Sequence, residues 1–329
     1  MSKYFLLDTN REDLTEMNIL ISAIICTHNR AGYLQKAIQS LMDQRTPTDK
    51  YEIVVVDNCS TDSTKKVVDQ FSAKGNVRYI FEPTLGLSYA RNTGWRSARG
   101  KYVAYLDDDA IACPVWLDKI LEAFETVTPR PGCVGGRVTP IWEASRPEWL
   151  SDWLLHGLTI IDWSDMPHIL TNLSEEWLVG ANIAFPVEIL ERVGGFTPNL
   201  DRAGNNLLSS GDVFLENQIK NMGYSCFYHP DITIGHHIFE SRLSQSWFIR
   251  RYYWQGVSDA VIHLLQERPS MLKRLRFAYS QAKILLQSPG KLKTLILPTN
   301  NPERFTQKCF TLIILGHIYG VLRFVRPWQ

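Results

Sequence analysis

The chain has 329 residues, 45% hydrophobic and 21% charged, enough to bury a sizeable core in one large or two medium domains. Its 35 Lys and Arg against 34 Asp and Glu leave a net charge of +1, which excludes bulk electrostatic attraction to nucleic acid. Six scattered cysteines without a Cys-x-x-Cys pair fit neither a zinc spacing nor a disulfide framework, so a reducing, cytosolic setting is expected.

Residues 1–17 carry Asp8, Arg11, Glu12, Asp13 and Glu16 around one short apolar patch and read as an N-terminal extension rather than a signal peptide. Residues 19–26 form an apolar run that predicts a first strand, followed by Thr27-His28-Asn29-Arg30. Leu34, Ala37, Ile38, Leu41 and Met42 then recur at helical spacing. A second strand over 51–56 ends at Asp57, and turn and capping residues lead into a helix over 65–72. A third strand covers 77–81, and the loop from Leu85 enters a helix ending at Gly100. The run Tyr102-Val103-Ala104-Tyr105-Leu106 then stops at Asp107-Asp108-Asp109. This βαβαβαβ order predicts an α/β fold with a mostly parallel central sheet and helices on both faces.

Three strands thus end in polar chemistry, and a parallel sheet brings such ends to one edge. Three consecutive carboxylates repel one another and require positive charge nearby if buried. Hard oxygen ligands there suit Mg²⁺ or Mn²⁺ holding a phosphate-bearing substrate, while a solvated acidic turn is the plainer reading. Arg30 and Arg91 are suited to contact a diphosphate. Asp57 fits either a helix-capping role or a hydrogen bond from a base or ribose. Neither Gly-x-Gly-x-x-Gly nor a Walker lysine loop is present, which argues against Rossmann cofactor binding and P-loop chemistry.

Four stretches carry a resemblance. Cys-Thr-His-Asn-Arg at 26–30, Val-Val-Val-Asp-Asn-Cys-Ser-Thr-Asp at 54–62, Gly-Leu-Ser-Tyr-Ala-Arg-Asn-Thr-Gly at 86–94 and Leu-Asp-Asp-Asp-Ala at 106–110 occur in that order. In these the chain resembles family 2 glycosyltransferases of bacterial polysaccharide biosynthesis, inverting enzymes of the GT-A fold that use nucleotide-activated sugars. The resemblance covers residues 18–240 and implies a nucleotide-binding half (18–110) and an acceptor half (111–240), with a helical C-terminal region (241–329) beyond it. It implies that Thr27 and Asp57 contact the nucleobase side, Asp57 reading uracil, with Arg30 and Arg91 near the nucleotide. Asp107 and Asp109 become the ribose- and metal-contacting pair, although Asp108 is equally acidic. The segment 176–186, with Trp177, Gly180 and Asn182, resembles the part of the family that lines donor sugar and acceptor. A helix starting near residue 211 usually opens on two acids, the second being the catalytic base; here Gly211 stands first and only Asp212 remains. An aspartate at a helix start also stabilises the helix dipole. His236, preferred over His237, matches a metal- or diphosphate-contacting histidine.

The expected activity is therefore metal-dependent transfer from a nucleotide-diphosphate sugar, UDP-linked by the resemblance, to a glycan or lipid-linked acceptor. A catalytically weak nucleotide-sugar-binding protein of the same fold is the alternative that Gly211 raises. No run offers about 18 uninterrupted apolar residues, so no conventional membrane span is expected. Basic and aromatic residues interleaved with apolar ones beyond 240 fit a helical bundle packed on the catalytic region, or peripheral contact with a membrane surface.

Overall fold

The computed structural model describes residues 19–323 apart from 74, 199 and 202–206, so the expected N-terminal extension lies outside the described residues. The first half runs β1 (Ile21–Thr27), α1 (Ala31–Met42), β2 (Tyr51–Asp57), α2 (Thr64–Ser72), β3 (Val77–Phe81), α3 (Leu87–Arg96) and β4 (Tyr102–Leu106). Successive side chains of a strand face opposite ways. Ile25, Val55 and Ala104 accordingly pack with Leu34 and Ile38 of α1 and Phe71 of α2. Ile24, Val54 and Val103 pack on the other face with Ala90 and Trp95 of α3. Burial on both faces is why these strands read as unbroken apolar runs. Each fully buried Val or Ile contributes about 1.5–3 kcal/mol. The helix expected to reach Gly100 ends at Arg96, four residues earlier.

β1 lies between β2 and β4, parallel to both. The chain moves outward from β1 to β2 and β3, then crosses back through α3 to β4 on the other side. Loops leaving β1 and β4 therefore diverge, which opens a crevice at their C-terminal ends. Thr27 and Arg30 follow β1 there, and Asp107 to Asp109 follow β4.

The second half adds β5 (Ala110–Ala112), α4 (Trp116–Thr126), β6 (Cys133–Trp142), β7 (His168–Ile169), β8 (Asn182–Pro186), α5 (Val187–Val193), α6 (Gly211–Asn221) and β9 (Cys226–Ile238). The sheet order is β3-β2-β1-β4-β8-β6-β9-β5, with β7 on β9. The expected mostly parallel sheet is thus corrected to a mixed one. Its β3-β2-β1-β4 part is parallel, but β8 runs antiparallel to both β4 and β6. The reason is topological. After β6 the chain stays over the C-terminal edge through residues 143–181, so β8 begins at that edge and runs back. The residues just before β8, Gly180 among them, consequently sit beside the crevice. The segment ending in the paired histidines is one strand paired with β6 in two blocks around an irregularity.

Beyond it come α7 (Gln245–Glu267), α8 (Met271–Leu286), α9 (Pro289–Ile296) and α10 (Pro302–Arg323). α7 and α10 touch backbone to backbone: a Cβ at Gly256 would strike the Ile313 carbonyl, and one at Gly316 the Tyr253 carbonyl. Phe305 and Cys309 of α10 pack with Phe248, Leu150 and Leu154, which ties these helices to the loop region after β6. No conventional membrane span is expected from the sequence, but α10 with its 22 residues is long and apolar enough to cross a membrane by length and composition. Trp116 and Trp149 serve packing: Trp116 is fully buried and Trp149 stacks edge-on with Phe248 and Phe305.

Candidate functional site

The sheet register assembles the first part of the site. β5 pairs antiparallel with β9, with Ala110 opposite His236, which brings the histidine alongside the acidic end of β4. Ligand atoms of Asp107, Asp109 and His236 all lie within 4.8 Å of one another. Asp108 faces elsewhere, accepting from Thr27 Oγ1 at 2.7 Å and from Arg30 at 3.0 Å. Asp109 Oδ2 accepts from Arg30 at 2.6 Å, with Arg242 at 3.5 Å. Its Oδ1 lies 3.2 Å from His236 Nε2. Burial works against ionisation of Asp109, but His236, Arg30 and Arg242 overcome it and hold the carboxyl well below its usual range. Burial drives Asp108 the other way, up to about 7, against the pull of Arg30. Asp109 Oδ1 and His236 Nδ1 are buried without a hydrogen-bond partner among the described residues. Buried polar atoms are normally satisfied. Two carboxylates, an imidazole and these orphaned atoms fit a divalent cation such as Mn²⁺ or Mg²⁺.

The second part centres on Arg91, which α3 drives into the interior beneath the crevice. Its guanidinium is 3.4 Å from Asp201 and 4.0 Å from Asp107, and stacks over Phe196 at 5.1 Å. Burial opposes its charge, yet Asp201, Asp107 and Asp212 together keep its pKa above the ordinary value. Gly180 is required here, because a Cβ would collide with the guanidinium. Asp212, in the first turn of α6, accepts the Gly180 N–H at 2.7 Å and the Val213 N–H at 2.9 Å. One turn on, the fully buried Glu216 accepts the Leu178 N–H at 3.0 Å. Two carboxylates of one helix thus pin the strand of backbone that leads into β8. A cavity of about 1260 Å³ joins both parts, lined by Arg91, Asp107, Asp109, Gly180, Asp212 and His236, and extends to α7 and α10.

Other expected contacts fall differently. Trp177 does line the cavity, stacked edge-on with Trp163 at 4.9 Å. Asn182 was expected to touch sugar, but its side chain is buried in the sheet. It accepts from Trp116 Nε1 at 2.8 Å and donates to the Ile232 and Arg137 carbonyls, so its polar atoms are used within the core. Asp57 accepts from the Ser60 N–H and the Tyr79 hydroxyl, which ties β2 to β3 at the crevice edge. Asp201, Arg242 and Glu216 went unread, since each gains its role only from a distant segment.

Glu216 has a measurable consequence. Burial pushes its carboxyl well above the usual value, with Cys226 and Asp212 adding and the Leu178 N–H opposing. The folded state therefore holds a proton that the unfolded chain releases near pH 4.3. Stability falls as pH rises through that window, by up to about 1.4 kcal/mol per unit. Glu216→Gln keeps an acceptor for Leu178 and has no proton to retain. Thermal melts from pH 5 to 8 are expected to show a flatter profile for Glu216→Gln, which melts above wild type at pH 8.

Comparison with known proteins decides the family. The model of "Glycosyl transferase family 2" matches residues 22–186, half of the chain, running from β1 through β8. The chain belongs to glycosyl transferase family 2. This glycosyltransferase is 26% identical over 315 residues to the glucosyl-dolichyl phosphate glucuronosyltransferase of Haloferax volcanii, covering 92% of this chain and 96% of that one. It is 32% identical over 226 residues to glycosyltransferase AglE of the same organism, 66% of each chain. Its fold resembles a mannosyltransferase of Pyrobaculum calidifontis solved with GDP-Man and Mn²⁺, with a TM-score of 0.60 at 21% identity over 91% of this chain and 86% of that one. The GT-A fold of the glycosyltransferase, with its C-terminal helices, thus agrees with the expectation from its motifs.

Proposed function

We propose that this glycosyltransferase moves a sugar from a nucleoside diphosphate donor to an acceptor hydroxyl in a single inverting displacement. The observation that carries the reading is that Asp212, Arg91 and the Asp107/Asp109/His236 cluster line one cavity at the sheet's crevice. Asp107, Asp109 and His236 would hold the divalent cation. When bound, that cation supplies charge neutralisation for the departing diphosphate. Arg91 adds a fixed cation whose side chain is already desolvated and needs no reorganisation. Asp212 takes the proton from the acceptor hydroxyl as it attacks the anomeric carbon from the face opposite the leaving group. Its two N–H contacts hold the carboxylate in place, and each oxygen keeps a lone pair for that proton. Trp177 offers an indole face to a sugar ring.

The family resemblance favours a UDP-sugar, and the nearly full-length similarity to a glucosyl-dolichyl phosphate glucuronosyltransferase supports a lipid-phosphate-linked sugar as acceptor. Surface chemistry agrees. From Arg268 to Pro302 the chain carries seven Lys and Arg and no Asp or Glu. Leu272, Leu275, Tyr279, Leu286, Ile296 and Leu297 are exposed along the same stretch. Apolar side chains among unopposed basic ones suit an anionic lipid surface, where such an acceptor resides. Co-sedimentation with anionic vesicles at low salt is expected, falling several-fold when Lys273, Arg276, Lys291 and Lys293 are changed to Glu. Nucleoside diphosphate release from UDP-glucose, UDP-glucuronate, UDP-GlcNAc and GDP-mannose, with a dolichyl-phosphate glucoside present, tests the substrate class. Release from no donor in this panel counts against it.

A further inference from the structure

The start of α6 shows where the acid absent from position 211 has gone. A Cβ built on Gly211 would lie 2.6 and 2.7 Å from the two carboxylate oxygens of Asp201 and 2.8 Å from its Cγ. A carboxyl carbon on residue 211 would sit about one C–C bond, roughly 1.5 Å, beyond that Cβ. Asp201 thus fills the space that an acidic side chain at 211 would use. Burial and the nearby Asp212 raise its pKa above the usual carboxylate value, and three groups oppose them. Ser88 donates to Oδ2 at 2.8 Å, Arg91 lies 3.4 Å away, and the Gly211 N–H at the positive end of α6 donates as well. Residue 210, a serine, takes a left-handed φ of 81° just before the helix.

We infer that Asp201 is a positioning residue: it supplies from a separate segment the carboxylate that the helix start lacks, and holds Arg91 at a fixed distance from Asp212. This rests on the reading of Asp212 as the base. Three carboxylates share the one guanidinium: Asp201, Asp107 and Asp212. Asp201 anchors it from the interior, leaving Asp107 at 4.0 Å. Without Asp201 the guanidinium loses that anchor and is drawn onto Asp107 and Asp212, where it masks a cation ligand and the base. The absence of an acid at 211 is then a relocation of charge, and a full catalytic apparatus is retained.

The test exchanges the two positions in the full chain, with nucleoside diphosphate release in Mn²⁺ and thermal melting as readouts. Asp201→Gly and Asp201→Asn are each expected to lower kcat at least 10-fold, with a smaller change in the donor KM. Gly211→Asp alone is expected to be as damaging, because its side chain meets the Asp201 carboxylate. Combining Asp201→Gly with Gly211→Asp is expected to restore kcat to within about 5-fold of wild type and to melt above either single change. A combination no more active than Asp201→Gly overturns the inference. So does recovery of melting without recovery of kcat, which assigns Asp201 to the core alone. Asp212→Asn, run alongside, separates the two readings: full turnover in that variant removes the base assignment, whereas a dead Asp212→Asn beside a fully active Asp201→Asn removes only the role of Asp201.

Discussion

Asp212→Asn is expected to lower sugar transfer by about 10²–10⁴-fold, the range over which a positioned general base acts. The fold should tolerate the change. An asparagine retains one oxygen for the Gly180 N–H, and only the Val213 contact loses its acceptor. A lost hydrogen bond of that kind costs about 1 kcal/mol. Binding of UDP or GDP with Mn²⁺, followed by calorimetry, should stay within about 3-fold of wild type, since no nucleotide-side residue is altered. The contrast between intact binding and lost turnover is what identifies a base. A variant that keeps near-normal turnover with the same donor removes Asp212 from the chemistry.

Arg91→Met is expected to cost about 3–5 kcal/mol of folding stability in addition to activity, because it leaves the buried Asp201 carboxylate without its cation. Arg91 is 5% exposed, and Asp201 beside it is 6% exposed. Water cannot compensate either group. Methionine fills much of the volume over Phe196 but offers nothing to Asp201 or Asp107. Against a total stability of about 5–15 kcal/mol the loss is large. Urea unfolding curves measure it directly, and a shift below about 1 kcal/mol would show that the Arg91–Asp201 pair is no structural centre.

Much of this architecture is legible from local pattern. β1, β2 and β4 announce themselves as apolar runs that stop at Thr27, Asp57 and Asp107, because both faces of each strand are buried and the polar residues begin only at the C-terminal edge. The gathering of those ends follows from strand order alone. Separation of Asp108 from the Asp107/Asp109/His236 cluster is not legible: it depends on Thr27 claiming the middle carboxylate, while Arg30 bridges it to Asp109. Asn182 misleads for a related reason. It stands two residues from Gly180 in a motif-like stretch, yet β8 has begun, and the residue is held inside the sheet by Trp116 and Ile232. Asp201 carries no local signal, since its meaning comes from Ser88, Arg91 and Gly211, the farthest of them 113 positions away in sequence. The mixed sheet escaped the pattern because the stretch at 143–181 has no periodicity to show on which edge the chain returns.

Metal-dependent release of nucleoside diphosphate tests the account most directly. With the donor that the wild-type protein turns over, release is expected in Mn²⁺, to vanish in EDTA, and to return when Mn²⁺ is restored. Asp109→Asn should stay below one-hundredth of wild-type release at every Mn²⁺ concentration, and the transferred sugar should carry the inverted anomeric configuration by NMR. Release that persists in EDTA, near-normal release by Asp109→Asn, or a product of retained configuration would contradict it.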